Sequence, residues 1–374
     1  MKPAHSPREF RIGKLAAQPV QVMIVDDSLT VRTILKRMVE SDPALIVAAT
    51  ASSAETALAQ LKTIKPDVIL LDLEMPGMGG LKALPAILAV APYVEVLVVS
   101  ALTEEGAEAT LAALAMGAAD TLLKPRPGEF TEDYRSTLIA RIRALGTKAS
   151  ASSGAKEPAA AAGTARAPLG GAGTEFPKIK RPDIIAIGAS TGGIHALGQF
   201  LAEVTSALTQ PILITQHLPA SFMPVFARQI AAAWGRHTVV ASDGLVIAPG
   251  TIVVASGAGH LTIQRKGDEL AVQISYAPTA SGCRPSVDPM LASLAQTCGP
   301  RALAVILSGM GTDGLAGSRL LHDAGGTIFA QDPASSAVWG MPGAVARAGL
   351  ARLLASPETL GQAVMACAAA RALS

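Results

Sequence analysis

Cysteine is scarce in this chain of 374 residues. The three present, Cys283, Cys298 and Cys367, are odd in number and widely spaced, which argues against a disulfide framework and against a cysteine-built zinc cluster. A reducing compartment suits such a chain. Charge is sparse too: charged residues make up 16% and the formal net charge is +2, so the basic stripe of a nucleic-acid binder is missing and no nucleic-acid partner is expected. Half of the residues are apolar, yet no window holds about 18 strongly apolar, uncharged residues in a row. Membrane insertion is therefore not expected, and the chain reads as soluble and cytoplasmic. Residues 1–18 carry Arg8, Arg11 and Lys14 but no apolar stretch or cleavage pattern, and read as a short disordered extension rather than a signal.

What is present is a repeated alternation of short β-branched runs with amphipathic stretches. Runs at Val20–Val25, Leu45–Ala49, Val68–Leu71, Val94–Val99 and Thr121–Leu123 alternate with helical patterns near 29–40, 53–64, 80–90, 104–116 and 131–145. This predicts a doubly wound, five-stranded parallel sheet over 20–146. Residues 147–180, rich in Ala, Gly, Ser and Pro, predict a flexible linker. The alternation resumes over 181–372, with runs at 183–187, 211–215, 301–307 and 327–330. Short strands and tight turns between 237 and 275 predict a hairpin-rich insert in a second, mostly parallel α/β domain.

Functional side chains of a parallel sheet gather at the carboxyl ends of its strands. In the first domain those ends carry Asp26 and Asp27, Asp72, Ser100 and Lys124. Three carboxylates in one place need a cation, and an all-oxygen set with an open approach suits Mg²⁺. Singly, each residue reads as an ordinary cap or surface group; five in register with their own strands make a pocket. Through Val25-Asp26-Asp27-Ser28, Leu71-Asp72-Leu73-Glu74-Met75-Pro76, Val99-Ser100-Ala101 and Leu123-Lys124-Pro125, the segment resembles the receiver domain of bacterial response regulators. The resemblance implies that Asp72 accepts a phosphoryl group from a histidine kinase. It also implies that Asp26, Asp27 and Asp72 hold Mg²⁺ with the Glu74 carbonyl, and that Ser100 and Lys124 read the phosphoryl group. Thr121 departs from the aromatic usual there, and Gly79 from a common acid.

The second domain carries Gly188-Ala189-Ser190-Thr191-Gly192-Gly193 between a strand pattern and a helix pattern. A serine on such a turn stands off the sheet edge with glycines leaving room for substrate, as in a nucleophile elbow. A nucleophilic serine needs a histidine and an orienting acid. Of six histidines, His217 follows the run Ile212–Thr215, while His195, the nearest rival, sits one turn into a helix. Asp313, in the turn after Ala302–Leu307, is the preferred acid over Asp288 and Asp332, although Asp-Gly pairs are common turn formers. Acid before histidine is the order of the α/β-hydrolases; here it is reversed.

Together with Gln216-His217-Leu218-Pro219, Ala248-Pro249-Gly250, Arg284-Pro285-Ser286-Val287-Asp288, Ser308-Gly309-Met310-Gly311-Thr312-Asp313-Gly314 and Gln331-Asp332-Pro333 with Gly340-Met341-Pro342, the glycine-flanked serine resembles, over residues 181–350, the catalytic domain of the chemotaxis protein-glutamate methylesterases, the CheB family. The resemblance implies hydrolysis of glutamate methyl esters on chemoreceptors, deamidation of particular receptor glutamines, and adaptation in chemotaxis, with no cofactor for the esterase step. Ser190 would be the nucleophile, His217 the base and Asp313 the acid. The Thr191 N–H is the natural first oxyanion donor and Met310 a candidate second; His260 and Arg284 are candidate substrate contacts. A phosphate-binding module is disfavoured because no lysine follows Gly193 and G-x-G-x-x-G is missing. A small-molecule serine hydrolase keeps the triad but leaves the receiver without a task.

Overall fold

The computed structural model describes residues 18–100, 103–125, 130–154 and 176–369; the expected N-terminal extension lies almost wholly outside them. In chain order the first half comprises β1 (Val20–Val25), α1 (Leu29–Glu40), β2 (Leu45–Ala51), α2 (Ala54–Gln60), β3 (Val68–Asp72), α3 (Gly79–Val90), β4 (Glu95–Ser100), α4 (Glu104–Ala115), β5 (Asp120–Leu123) and α5 (Glu132–Gly154). Its five strands are parallel in the order β2-β1-β3-β4-β5. β3 is buried along its whole length, which is why its sequence is an unbroken apolar run rather than an alternation. Ser28, Ser53 and Thr103 cap α1, α2 and α4, each side-chain oxygen accepting a first-turn N–H.

The second half comprises β6 (Ile184–Ala189), α6 (Gly193–Ala202), β7 (Ile212–Gln216), α7 (Met223–Trp234), β8 (Thr238–Val240), β9 (Ile252–Val254), β10 (His260–Lys266), β11 (Glu269–Ser275), α8 (Val287–Thr297), β12 (Ala302–Ile306), α9 (Leu315–Asp323), β13 (Thr327–Gln331), α10 (Met341–Arg347), β14 (Leu353–Ala355) and α11 (Pro357–Ala369). Seven strands form a parallel sheet in the order β14-β13-β12-β6-β7-β9-β8. β6 sits between β7 and β12, so successive strands wind outward from it in both directions and a crevice opens at the carboxyl ends beside it.

The hairpin insert is present in narrower form than its composition suggests, and a helix extends into the predicted linker. Of the stretch 237–275, only β10 and β11 form an antiparallel hairpin; β8 and β9 pair in parallel and extend the main sheet. α5 continues to Gly154, well into the residues whose composition predicts a linker. Once nucleated, a helix gains a hydrogen bond for each residue added, which lets it run past the end of the apolar pattern. At the other end of that stretch, Phe176 and Ile179 pack on the second domain and the Lys178 carbonyl accepts from Arg352; residues 155–175 lie outside the described set.

The halves are packed together along α4, β5 and α5. An apolar cluster runs from Leu111 and Leu114 of α4 into Leu197, Phe222 and Met223 of the second domain, and α4 packs on α6 and α7. Leu138 and Ile142 of α5 share a cluster with Val338, against which Met310 also packs.

Candidate active site and phosphoacceptor pocket

Both predicted constellations assemble. In the receiver-like half, one carboxylate oxygen from each of Asp26, Asp27 and Asp72 lies within 4.8 Å of the others. Asp26 and Asp72 are buried and Asp27 is exposed. The Lys124 ammonium bridges the buried pair, 2.7 Å from Asp26 Oδ2 and 2.6 Å from Asp72 Oδ2. Burial pushes the Asp72 carboxyl above its usual range, against the pull of Lys124. Burial also opposes the Lys124 charge, but its two carboxylate partners outweigh this and raise its pKa. Asp26 Oδ2 is buried and, beyond the lysine charge, accepts no hydrogen bond. The all-oxygen set therefore fits a hard divalent cation. Glu74 is exposed, and its N–H donates to Asp72 Oδ1 at 3.0 Å. Ser100 is less available than its position suggests: its buried hydroxyl accepts from Thr110 Oγ1 at 2.6 Å.

In the second half, Ser190 follows β6, His217 follows β7 and Asp313 lies in the loop after β12, the three strands around the switch point. His217 Nδ1 lies 3.1 Å from Ser190 Oγ, and Nε2 lies 2.8 Å from Asp313 Oδ2. The turn holding Ser190 is tight: its N–H donates to the Ser308 carbonyl, and its carbonyl accepts from Gly193 N–H and Gln216 Nε2. Gly192 has φ +74°, and a Cβ there would meet Ala337 Cβ at 2.4 Å, so only glycine fits. α6 starts at this residue without a side-chain cap. Its positive end therefore faces the site.

Asp313 is held from several sides. Ser286 Oγ donates to Oδ1 at 2.6 Å and Val287 N–H to Oδ2 at 2.8 Å. Burial disfavours its charge, but the His217 and Ser286 bonds dominate and hold the carboxyl far below its usual range. For His217, burial also opposes the charged form; the Asp313 bond and the neighbouring Cys283 outweigh it and raise the imidazole to about 9. Of the rivals, His195 is exposed on α6 with Nδ1 3.4 Å from the Ala115 carbonyl. Asp288 sits beside Asp313 and accepts from Gly317 N–H, while Asp332 closes a turn with Ser335; neither is hydrogen-bonded to His217.

His260 is not placed to meet a substrate. It is buried, its Nδ1 accepts the Ser286 N–H at 3.0 Å and its Nε2 donates to the Ala277 carbonyl at 3.0 Å, so it fixes the loop that carries Ser286. Arg284 is exposed on that loop. Sequence reasoning missed three supports: Ser286, and Ser308 with Gln331. The Ser308 hydroxyl donates to the Thr191 carbonyl at 2.7 Å, and its N–H donates to Gln331 Oε1. The only available signal was the polar residues inside the quoted motifs.

The receiver-like half reaches this site. Thr191 Oγ1 donates to Asp120 Oδ2 at 2.6 Å, and Gly192 N–H donates to the Ala119 carbonyl at 2.5 Å. Arg141 of α5 lies 2.9 Å from Asp120 and also bonds the Thr121 carbonyl.

A receiver-like α/β domain docked against a parallel sheet of serine-hydrolase geometry defines the class: a hydrolase under the control of a receiver domain. Residues 185–364 match the CheB methylesterase family, and residues 22–134 the response regulator receiver domain. A protein-glutamate methylesterase/protein-glutamine glutaminase of Azospirillum brasilense is 38% identical over 96% of this chain and 95% of its own length. One from Rhodospirillum rubrum is 41% identical over 88% and 90%. The crystal structure of the Thermotoga maritima CheB methylesterase catalytic domain covers 51% of this chain and 99% of its own, at 28% identity and a TM-score of 0.48. The chain belongs to the CheB-type protein-glutamate methylesterase/glutaminase family.

Proposed function

We propose that Ser190, His217 and Asp313 carry out the hydrolysis of glutamate methyl esters and the deamidation of glutamines on chemoreceptors, under the control of Asp72. The observation that carries this is the unbroken chain Ser190 Oγ to His217 Nδ1 to His217 Nε2 to Asp313 Oδ2 at the switch point of the sheet. Both reactions are acyl transfers. His217 Nδ1 takes the serine proton as Ser190 Oγ attacks the side-chain carbonyl; Asp313 stabilises the resulting imidazolium and fixes its tautomer. His217 then protonates the departing methanol or ammonia, and water attacking the acyl-serine regenerates the site. The Thr191 and Met310 N–H groups are assigned to the oxyanion. Among the described residues neither donates to a protein acceptor, which leaves both available.

The phosphoryl donor is a chemotaxis histidine kinase and the substrates are cytoplasmic segments of methyl-accepting receptors. Asp72 takes the phosphoryl group, and Asp26, Asp27, Asp72 and the Glu74 carbonyl would hold Mg²⁺. The ion's chemistry there is neutralisation of charge on phosphoryl oxygens. Lys124 and Ser100 turn toward the phosphoryl group, Lys124 leaving Asp26 and Asp72. In the unphosphorylated chain the Ala119 carbonyl and Asp120 occupy the Gly192 N–H and the Thr191 hydroxyl beside the nucleophile, so the receiver (20–146) restrains the catalytic domain (181–372) through β5. The test is methanol release from a methylated receptor by the intact protein and by Ser190→Ala. Loss of release supports the assignment; full activity in the variant overturns it.

A further inference from the structure

Cys283 is the one cysteine of the three that stands beside the catalytic groups. A single donor atom from each of His217, Cys283 and Asp313 lies within 4.8 Å of the other two. This is a nitrogen, a sulfur and an oxygen converging on one point. Asp313 is buried, whereas His217 and Cys283 are half-buried, leaving an approach from solvent. The wide spacing of the cysteines in sequence conceals this set, because two of its members are not cysteines at all.

We propose that His217, Cys283 and Asp313 form a binding site for Zn²⁺, and that Zn²⁺ bound there silences the hydrolase. Zn²⁺ binds sulfur at about 2.3 Å and nitrogen or oxygen at about 2.0 to 2.2 Å, which puts tetrahedral ligands about 3.3 to 3.8 Å apart. The Cys283 edges, at up to 4.8 Å, contract by roughly 1 to 1.5 Å, within reach of a half-exposed side chain, while the 2.8 Å edge from His217 Nε2 to Asp313 Oδ2 opens by about 0.5 Å as the metal replaces their hydrogen bond. A thiolate and an imidazole in the set select Zn²⁺ over the Mg²⁺ that suits the all-oxygen pocket of the receiver. One thiolate and one carboxylate also balance the dication, and the fourth position is left to water.

The block follows from the histidine tautomer. In the neutral ring that catalysis requires, Nε2 carries the proton shared with Asp313 and Nδ1 accepts from Ser190. Zn²⁺ on Nε2 displaces that proton, which the ring retains on Nδ1, and the thiol proton goes to solvent. Starting from the neutral ring and the thiol, one Zn²⁺ is bound and one proton is released; starting from the imidazolium, a second proton also goes to solvent, and in neither case does the oxidation state change. An Nδ1–H facing Ser190 Oγ donates instead of accepting, so the base can no longer take the serine proton. Asp313, now a metal ligand, no longer orients the ring. The inhibitory half of the proposal rests on the triad assignment; the metal site itself does not.

The experiment uses the full chain with Mg²⁺ in excess, so that the receiver pocket is filled. Co²⁺ replaces Zn²⁺ as a spectroscopic probe, and a thiolate-to-Co²⁺ charge-transfer band at one equivalent is expected in the wild type and in Ser190→Ala, and not in Cys283→Ser or Cys283→Ala. In parallel, Zn²⁺ is titrated into the methanol-release assay. Cys283→Ser should raise the half-inhibiting Zn²⁺ concentration by at least about 100-fold, since loss of outer-shell partners alone costs roughly 10- to 100-fold in affinity. No band, or equal Zn²⁺ sensitivity in wild type and both Cys283 variants, overturns the proposal. A band with undiminished wild-type activity overturns the inhibitory role. Ser190→Ala judges the nucleophile separately, because it should lose hydrolysis and keep the band.

Discussion

Asp120→Ala tests how the receiver restrains the hydrolase. The residue stands at the start of β5, and its carboxylate accepts the Thr191 hydroxyl at 2.6 Å while pairing with Arg141 at 2.9 Å. Thr191 and Asp120 are both buried, so solvent does little to screen the contact. A hydrogen bond to a charged group contributes about 1.5 to 3 kcal/mol. Arg141 keeps a partner in the Thr121 carbonyl and is partly exposed, so stranding it adds little. If the contact exists only in the closed arrangement, its removal shifts the closed-to-open equilibrium by the same amount, about 10- to 150-fold. The unphosphorylated variant should therefore hydrolyse methylated receptor at least about 10-fold faster than the unphosphorylated wild type, and approach the rate of the phosphorylated protein. The assay is methanol release without a phosphoryl donor. Unchanged basal activity, with Ser190→Ala inactive beside it, would refute the restraint through Asp120.

Four further outcomes are expected. His217 must be neutral to accept the serine proton, so kcat/KM of the unphosphorylated chain should rise with pH to a plateau above about 9, and Asp313→Asn should move that limb toward the ordinary histidine range while lowering the rate. The sign for stability is opposite: the raised histidine pKa contributes stability that is complete below about 6.5 and is lost as pH rises through about 9, measurable by denaturant melts across that window. Ser286→Ala removes a 2.6 Å bond to the Asp313 carboxylate and should lower kcat by about 10-fold or more with little change in KM, read from steady-state kinetics. Asp72→Asn should abolish activation by a small-molecule phosphoryl donor while leaving basal methanol release within about twofold, since Asp72 lies in the receiver pocket and touches Lys124 rather than the triad.

Much of the architecture was legible because parallel strands buried on both faces are continuous apolar runs, and β1, β3, β6 and β12 read that way. The chemistry-bearing residues were legible for a related reason: each ends or follows a strand run, and the carboxyl ends of a parallel sheet share an edge. β8, β9 and β14 were harder, at three residues each, too short to show a period; their place in the main sheet is set by pairing with distant strands. Ser286, His260 and Cys283 were illegible as a group because their relation to Asp313 and His217 depends on how one loop folds back over β12. The reach of Ala119 and Asp120 into the turn after Ser190 depends on domain docking, which no local pattern encodes.

The same contacts limit how phosphorylation can act. Two new charge-assisted bonds from Lys124 and Ser100 would supply about 3 to 6 kcal/mol if nothing were given up. Swinging an equilibrium from 1:99 to 99:1 takes about 5.5 kcal/mol. Yet Lys124 already bridges Asp26 and Asp72, and Ser100 already accepts from Thr110, so phosphorylation at Asp72 as proposed would exchange bonds rather than add them. The net drive is therefore well below that sum, and the closed arrangement must be only modestly favoured for the switch to work. The exchange needs no aromatic at Thr121. Lys124 directly follows β5 and Asp120 begins it, so a pull on the lysine acts on the short strand whose other end holds Asp120 and, next to it, the Ala119 carbonyl. Arg141 grips the start of the same strand from α5 through Asp120 and the Thr121 carbonyl, tying the end of β5 nearest the turn after Ser190 to the receiver. A restraint of a few kcal/mol, concentrated where β5 meets the turn after Ser190, is one that a modest net drive can release.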